Sequence, residues 1–339
     1  MIILSTIALA TALAAPAALA PVGDADGIDL SNICEATAII ALEAGRREII
    51  EDLYYAYAIC LNIADEEAQA ECLEEAREEY QENRQLIWDQ YEARLDLCDL
   101  LPGGEPDGYD PQIDPADFQD EQGDPHPIDN ELLPYLLGNT WTYEGESDEG
   151  LEVIVVTVTD ETREVHGVEC TVVRDTVTLF ENGRKGREDG EAGLFVEDTY
   201  DYFAQDDDGN VWYFGELSFN FDDEGFIEDI DGSWLSGVDG AQAGIVMFAD
   251  PVVGTTYRQE WWLDEAEDAG TVLDDDATFE VPFGDAVYKG CLQTADFTPL
   301  EPDGLEWKYY FPGLGFIGEV KPDDDESVLL VDFVPGKGR

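Results

Sequence analysis

The sequence predicts an α+β protein in which an N-terminal antiparallel helical hairpin, stapled by disulfides, precedes a mainly antiparallel β domain. The β domain is expected to be a curved sheet, a half-barrel or a sandwich. Three observations predict this fold: symmetric cysteines in a helical stretch, a proline-rich segment after them, and many short runs of Val, Thr and aromatic residues. The predicted order is a signal peptide over residues 1–20, the hairpin over 31–100, a linker over 101–130 and the β domain over 131–335.

The first element is the apolar run MIILSTIALATALAAPAALA, which ends in small residues as a secretory signal peptide does. It departs from that pattern because no Lys or Arg precedes it. Cleavage is expected after Ala17 or Ala20, and the first site is preferred because Pro21 follows the second. No cysteine stands beside the cleavage region for lipid attachment, and no later stretch has the length of a transmembrane segment. The expected location is therefore secreted or periplasmic.

The hairpin is predicted from the positions of Cys34, Cys60, Cys72 and Cys98. In two equal antiparallel helices, residues whose numbers have the same sum lie at the same height. Cys34 with Cys98 and Cys60 with Cys72 have the same sum, so the spacing predicts these two disulfides, which an exported protein can form. Apolar residues recur at helical spacing between the cysteines, and Asp65 is the expected N-cap of the second helix.

After the hairpin the composition changes to LPGGEPDGYDPQIDPADFQDEQGDPHPIDN, which is rich in Pro, Asp and Gly. This composition is typical of an extended linker. Tyr109, Ile113 and Phe118 are the residues expected to anchor the linker along a neighbouring surface.

The β domain is predicted from runs such as LEVIVVTVT, ECTVVRDTVTLF and VWYFGELSF, bounded by Gly, Asp and Asn. The links between the runs are mostly too short for crossover helices, which favours an antiparallel meander. Alternating residues around Val173 and Asp175 indicate a sheet with one better-buried face. Cys170 and Cys291 are the remaining cysteines, and by elimination they are predicted to form a third disulfide.

The charge of the chain limits its partners. There are 80 acidic and 16 basic residues, a formal net charge of -64, so nucleic acid and anionic membrane surfaces would be repelled. Two interpretations of the charge are open, a cation-binding role and adaptation to a salty exterior. The acidic residues are spread along the whole chain, which favours halophilic adaptation.

The stretch QDDDGN, residues 205–210, is a candidate calcium loop through Asp206, Asp208 and Asn210. It fails the EF-hand spacing, because two strong ligand positions of such a loop would lack oxygen-bearing side chains. A glycine after an aspartate, between two aromatic runs, is also what a β-hairpin turn requires. The turn is the preferred interpretation, and calcium is the only cofactor for which the sequence offers a candidate site.

The turn type decides which carboxylates meet. A two-residue turn places Asp201 opposite Glu216, and this like-charged pair would require a cation, a shared proton or a basic neighbour. A three-residue turn with Gly209 in the left-handed conformation pairs Tyr202 with Phe214 instead and removes the clash. Both registers remain open at the level of sequence.

The catalytic residue types are sparse. His126 lies between prolines and His166 precedes a glycine, so both are expected at the surface rather than as general bases. No G-x-S-x-G motif, histidine pair for zinc or glycine-rich phosphate loop is present in the sequence. A carboxylate-dependent hydrolase needs only two acids and stays an alternative, although a non-enzymatic protein is preferred.

The phrases VEDTYDYFAQDDDGNVWYFGE, GSWLSGVDGAQAGIVM and YRQEWWLDEAED resemble those of an uncharacterised family of secreted bacterial proteins, over most of residues 130–331. The resemblance implies secretion and a common β domain, and it carries no catalytic residues. A curved antiparallel sheet beginning with a G-x-x-W-x-Y strand also looks like the half-barrels that hold lipoprotein acyl chains. The preferred function is an exported binding or structural protein; the alternatives are a groove for an apolar ligand or lipid, a hydrolase and a calcium-binding surface protein. An extracellular partner is compatible with the first of these functions.

Overall fold

The fold is that of a computed structural model, which describes residues 28–147, 150–190, 192–322 and 326–336. Residues 1–20, predicted to be a signal peptide, lie outside the described residues. Within the described ranges, no helix has both the length and the apolar character needed to cross a membrane.

The described residues form a helical hairpin, a linker and a β domain, in that order. The helices are α1 (Ile33–Cys60), α2 (Glu66–Leu100) and α3 (Gly183–Glu188). The strands are β1 (Thr140–Ser147), β2 (Gly150–Val165), β3 (Val168–Phe180), β4 (Leu194–Gln205), β5 (Val211–Phe221), β6 (Ile227–Asp229), β7 (Trp234–Leu235), β8 (Gln242–Met247), β9 (Thr256–Arg258), β10 (Glu260–Trp261), β11 (Ala269–Val281), β12 (Ala286–Thr298), β13 (Glu301–Phe311), β14 (Gly315–Val320) and β15 (Ser327–Val334).

The hairpin confirms the disulfides predicted from the spacing of the cysteines. Cys34 bonds to Cys98 at the open end, and Cys60 bonds to Cys72 beside the loop. Asp65 caps α2 as predicted, because its carboxylate accepts hydrogen bonds from two backbone N–H groups of the first turn. The two bridges hold both ends of a helix pair that is too thin to bury many apolar side chains.

The hairpin is attached to the β domain through the C-terminal part of α2. Leu97 packs in a small cluster with Ala269 and Phe297 of the sheet. Beside this cluster, the buried Arg94 side chain forms an ion pair with the equally buried Glu267. An apolar contact and a buried ion pair therefore fix the hairpin against the loop before β11 and the strands that follow it.

The linker is anchored along the sheet rather than free. Phe118 is buried against β5, where its ring meets those of Trp212 and Phe214 edge-on. Ile113 packs against the same cluster, and the Tyr109 hydroxyl donates a hydrogen bond to a backbone carbonyl of β8 at 2.8 Å. The three residues predicted to anchor the linker therefore contact the β domain.

The β domain is one large antiparallel sheet, and neighbouring strands along most of it are consecutive in the chain. The order is β10-β8-β5-β4-β3-β2-β1-β15-β14-β13-β12-β11-β9, with β6 and β7 paired to β5 beside this path. The sheet curves into a nearly closed barrel. The end strands β9 and β10 are separated by Gln259 alone, and they pair with β11 and β8, at opposite ends of the order.

Closure gives the sheet an inner and an outer face. Val173 and Phe203 belong to the large apolar cluster inside the barrel, which also contains Trp141 and Leu330. Side chains of opposite parity on β3, β4 and β5 face outward and form the second cluster, which the linker covers. Val172 and Val173 lie on opposite faces of β3 and are both buried, so the single better-buried face expected from the alternation is not observed there.

The predicted third disulfide is wrong. Cys170 and Cys291 are both buried free thiols, and burial raises their pKa values. Cys170 packs in the outer cluster under the linker, whereas Cys291 belongs to the large inner cluster. Elimination failed because it assumed that every cysteine of an exported chain is paired.

Candidate binding site in the interior of the sheet

The register of the β4–β5 hairpin decides which carboxylates meet. Near the turn, Ala204 lies opposite Trp212, as a three-residue turn requires. A β-bulge then shifts the pairing, and further from the turn Asp201 lies opposite Glu216, as a two-residue turn would have placed it. Both predicted registers therefore occur in one hairpin, and the bulge brings the two acids together.

Gly215 makes the bulge possible. Its φ is +123°, and a Cβ atom at this position would lie 2.2 Å from the carbonyl oxygen of Trp234. Only glycine allows β7 to approach β5 this closely. The bulge is therefore set by a contact with a strand about twenty residues away, which hairpin rules do not include.

The QDDDGN stretch forms the turn itself. The carboxylate of Asp206 accepts hydrogen bonds from the backbone and side chain of Asn210 and from the indole N–H of Trp212, at 2.8–2.9 Å. Gly209 has a φ of +88°, as the three-residue turn requires. Asp208 is exposed and takes no part in this network. Three donors occupy the oxygens of Asp206, so the geometry favours the turn over a calcium loop.

The Asp201–Glu216 pair lies on the inner side of the hairpin. The Tyr213 hydroxyl donates a hydrogen bond to Asp201 at 2.8 Å, and the two carboxyl groups are close enough to share another. Burial raises both pKa values above the ordinary carboxyl range, and mutual repulsion raises that of Glu216 further. We therefore assign a shared proton to the pair at neutral pH.

Asp201 also lines a cavity of about 320 Å³ inside the barrel. The lining combines aromatic and aliphatic side chains with polar and charged ones. The lining residues used below are Tyr135, Val156, Asp175, Asp201, Phe203, Asp296, Lys308 and Glu319. They come from six strands and from the segment before β1, so only the closed sheet brings them together.

Lys308 is the cation of the cavity lining. Its ammonium lies 3.5 Å from Asp296, 3.5 Å from Glu306 and 3.9 Å from Glu319. Burial lowers its pKa, but the surrounding carboxylates outweigh burial and hold the pKa well above the usual value. The side chain retains 27% of its accessible surface because it faces the cavity. Lys308 is therefore fully neutralised by its own neighbours.

Asp175, on β3, has no such partner. Its Oδ1 atom is shielded from solvent and forms no hydrogen bond within the described part of the chain. Burial raises its pKa well above the usual range, and the nearby acids Asp201 and Glu197 add to this shift. An unsatisfied buried oxygen is costly, so a hydrogen-bond donor that entered the cavity would stabilise this carboxyl group.

Asp201 and Glu216 were predicted from the sequence as a candidate pair, and the structure places them opposite each other. Asp175, Lys308 and the other charged residues of the cavity lining were not predicted as site residues. A signal existed for both: Asp175 alternates with valines on an otherwise apolar face, and Lys308 interrupts an aromatic strand in EWKYYF. Which charges face each other across a barrel depends on its closure, which no local pattern reveals.

The histidines lie elsewhere. His126 is 2.8 Å from Asp207 beside the hairpin turn, and His166 is 3.1 Å from the hydroxyl of Ser236. Neither lines the cavity. Among the described residues, no group of three or more His, Cys, Asp or Glu side chains is arranged to hold a metal ion.

The comparisons with known proteins add no relative. No protein-family model, curated protein or solved structure matches this chain.

The buried acids predict how stability changes with pH. Because their pKa values are raised, the folded protein keeps protons that the unfolded chain releases above about pH 4. The free energy of unfolding should therefore fall as pH rises toward neutrality, by about 1.4 kcal/mol per pH unit for each retained proton. Asp201→Asn, which mimics the protonated acid, should make this fall shallower.

Urea unfolding at constant high salt, which screens surface charge, measures the effect. The exposed Asp275→Asn is the matched control and should keep the wild-type slope. Stability that rises with pH over this range, or an unchanged slope in Asp201→Asn, would contradict the protonated pair.

Proposed function

We propose that the protein is an exported binding protein that holds a small organic molecule inside its β domain. The observation that carries this proposal is the cavity of about 320 Å³ on the inner face of the curved sheet. Ligand sites typically have several hundred Å³ and combine apolar walls with a few convergent polar groups. The lining of this cavity contains both apolar side chains and polar groups.

Export is supported by two features. The first twenty residues have the composition of a signal peptide, and the hairpin carries two disulfides of the kind that persist in oxidising compartments. The acidic composition fits a salty exterior, where counterions screen the repulsion between carboxylates.

The polar lining argues against a purely apolar ligand such as an acyl chain. Four carboxyl groups and one ammonium group line the cavity, at Asp175, Asp201, Asp296, Glu319 and Lys308. Enclosing an acyl chain would remove water from these groups without replacing its hydrogen bonds. A ligand with both polar and apolar parts matches the lining better.

A hydrolase is less well supported. In a retaining glycosidase, two carboxyl groups stand about 5 Å apart on either side of the scissile bond. Asp201 and Glu216 are instead cross-strand neighbours close enough to share a hydrogen bond. This arrangement leaves no space for a substrate between them, so binding is the function that the site supports best.

Blocking the cavity tests the proposal. Val156 on β2 lines the cavity, whereas its neighbour Val155 faces the other side of the sheet and is absent from the lining. Three probes of one size are phenylpropylamine, phenylpropanol and phenylpropionate. We expect at least one to bind the wild type and Val155→Trp, and binding to be lost in Val156→Trp.

Isothermal titration calorimetry measures the binding, and near-UV circular dichroism verifies that each variant is folded. If Val156→Trp does not fold, Val156→Phe replaces it. The proposal fails if none of the three probes binds, or if a folded Val156 variant binds them as the wild type does.

A further inference from the structure

The cavity has an uneven distribution of charge. At one side, Lys308 is surrounded by three carboxylates within 4 Å. Asp175 and Asp201 lie on neighbouring strands of the inner face, and neither forms an ion pair with Lys308 or with any other described basic side chain. The one ammonium group of the lining is already neutralised, so the side formed by β3 and β4 is left with uncompensated acid.

The spacing of these two acids suits one small cation. Val173 lies directly opposite Asp201, and Asp175 is two residues further along β3 on the same face. Such diagonal neighbours have Cα atoms about 7–8 Å apart, so a single donor group can lie between their carboxyl groups. The Oδ1 atom of Asp175, which has no partner among the described residues, would gain its missing hydrogen bond.

Aromatic rings flank the same position. The ring of Phe203 stacks on that of Tyr213 at 4.8 Å and contacts that of Tyr135 at 5.1 Å. Phe203 and Asp201 lie on the same face of β4, so carboxyl and aromatic surface adjoin. Aromatic faces attract ammonium groups and also accept an apolar body.

We propose that the cavity takes an organic cation, with its ammonium group between Asp175 and Asp201 and its apolar body against Tyr135 and Phe203. This inference rests on the proposed binding function and specifies its ligand class. A bare metal ion fits poorly, because no described group of three acidic or histidine side chains surrounds one position. An organic anion fits poorly because four carboxyl groups line the cavity.

The three probes of equal size separate the ligand classes. In calorimetry at high salt, phenylpropylamine should bind about tenfold or more tightly than phenylpropanol, because it adds charge-assisted hydrogen bonds. Phenylpropionate should bind more weakly than both. Asp175→Asn should weaken amine binding by about tenfold and change alcohol binding by less than about twofold. Asp201→Asn should act in the same direction, and it provides a second variant if the first does not fold.

The exposed Asp275→Asn removes the same charge from the surface and should leave amine binding unchanged. If the alcohol binds as tightly as the amine, the cation inference is wrong while the binding function stands. If Asp275→Asn weakens amine binding as much as Asp175→Asn does, the attraction comes from the overall surface charge and the inference is also wrong. If none of the probes binds, the proposed function itself fails.

Discussion

Replacing Arg94 by methionine is expected to lower the free energy of unfolding by about 3–5 kcal/mol. Arg94 is 6% exposed, and its guanidinium donates to both carboxylate oxygens of Glu267 at 2.7–3.1 Å. Glu267 is 2% exposed. Removing the arginine leaves this carboxylate buried without its counterion, which is more costly than the pair is stabilising.

Two further variants distinguish the cost of leaving Glu267 without its counterion from the cost of replacing any arginine by methionine. Arg46→Met makes the same substitution in α1 at a more exposed ion pair, Arg46–Glu43, and should cost less than about 1 kcal/mol. The double variant Arg94→Met/Glu267→Gln should recover much of the loss, because no charge remains buried. Urea unfolding measures all three, and equal costs for Arg94→Met and Arg46→Met would contradict the buried-charge explanation.

Gly215→Ala is expected to cost about 3 kcal/mol or more, because the new methyl group would overlap the backbone of β7. A Cβ atom there would lie 2.2 Å from the carbonyl oxygen of Trp234 and 2.9 Å from the Cα atom of Leu235. Backbone atoms cannot rotate away as a flexible side chain can. Either β7 separates from β5, or the bulge is lost and Asp201 no longer faces Glu216.

Gly225→Ala is the matched control. Gly225 has a φ of +79°, but a Cβ atom added to it would have no other described atom within 4 Å, so the substitution carries conformational strain without overlap. It should cost about 1 kcal/mol. Thermal and urea unfolding compare the two variants, and a similar cost for both would show that the contact with β7 does not set the bulge.

The parts of the fold that were predictable depend on regular, local geometry. A helix has a constant rise per residue, so the positions of Cys34, Cys60, Cys72 and Cys98 translate directly into heights along the hairpin. Alternation along β3 translates in the same way into an inner and an outer face. In both cases one short stretch of sequence contains all the information needed.

The candidate site was only partly predictable, because its remaining residues are brought together by contacts between distant parts of the chain. Asp201 and Glu216 lie in one hairpin, and turn rules narrowed their pairing to two registers. The bulge at Gly215 combined those registers through a contact with β7, and Asp175 lines the same cavity as Asp296 and Lys308 only because the sheet curves back on itself. Neither the bulge nor the curvature of the sheet can be predicted from the sequence of one hairpin alone.

The extended segment from Thr256 to Trp261 affects how copies of the protein can associate when the salt concentration is high. Strands at the ends of an open sheet offer unpaired N–H and C=O groups to other molecules, and copies can then polymerise edge to edge. Here the two end strands belong to this one segment, which pairs with β11 by its first part and with β8 by its last. In concentrated salt, acidic side chains no longer keep copies of the protein apart. The pairing of this segment with both ends of the sheet leaves fewer open strand edges, so we expect the nearly closed sheet to limit edge-to-edge association without depending on charge.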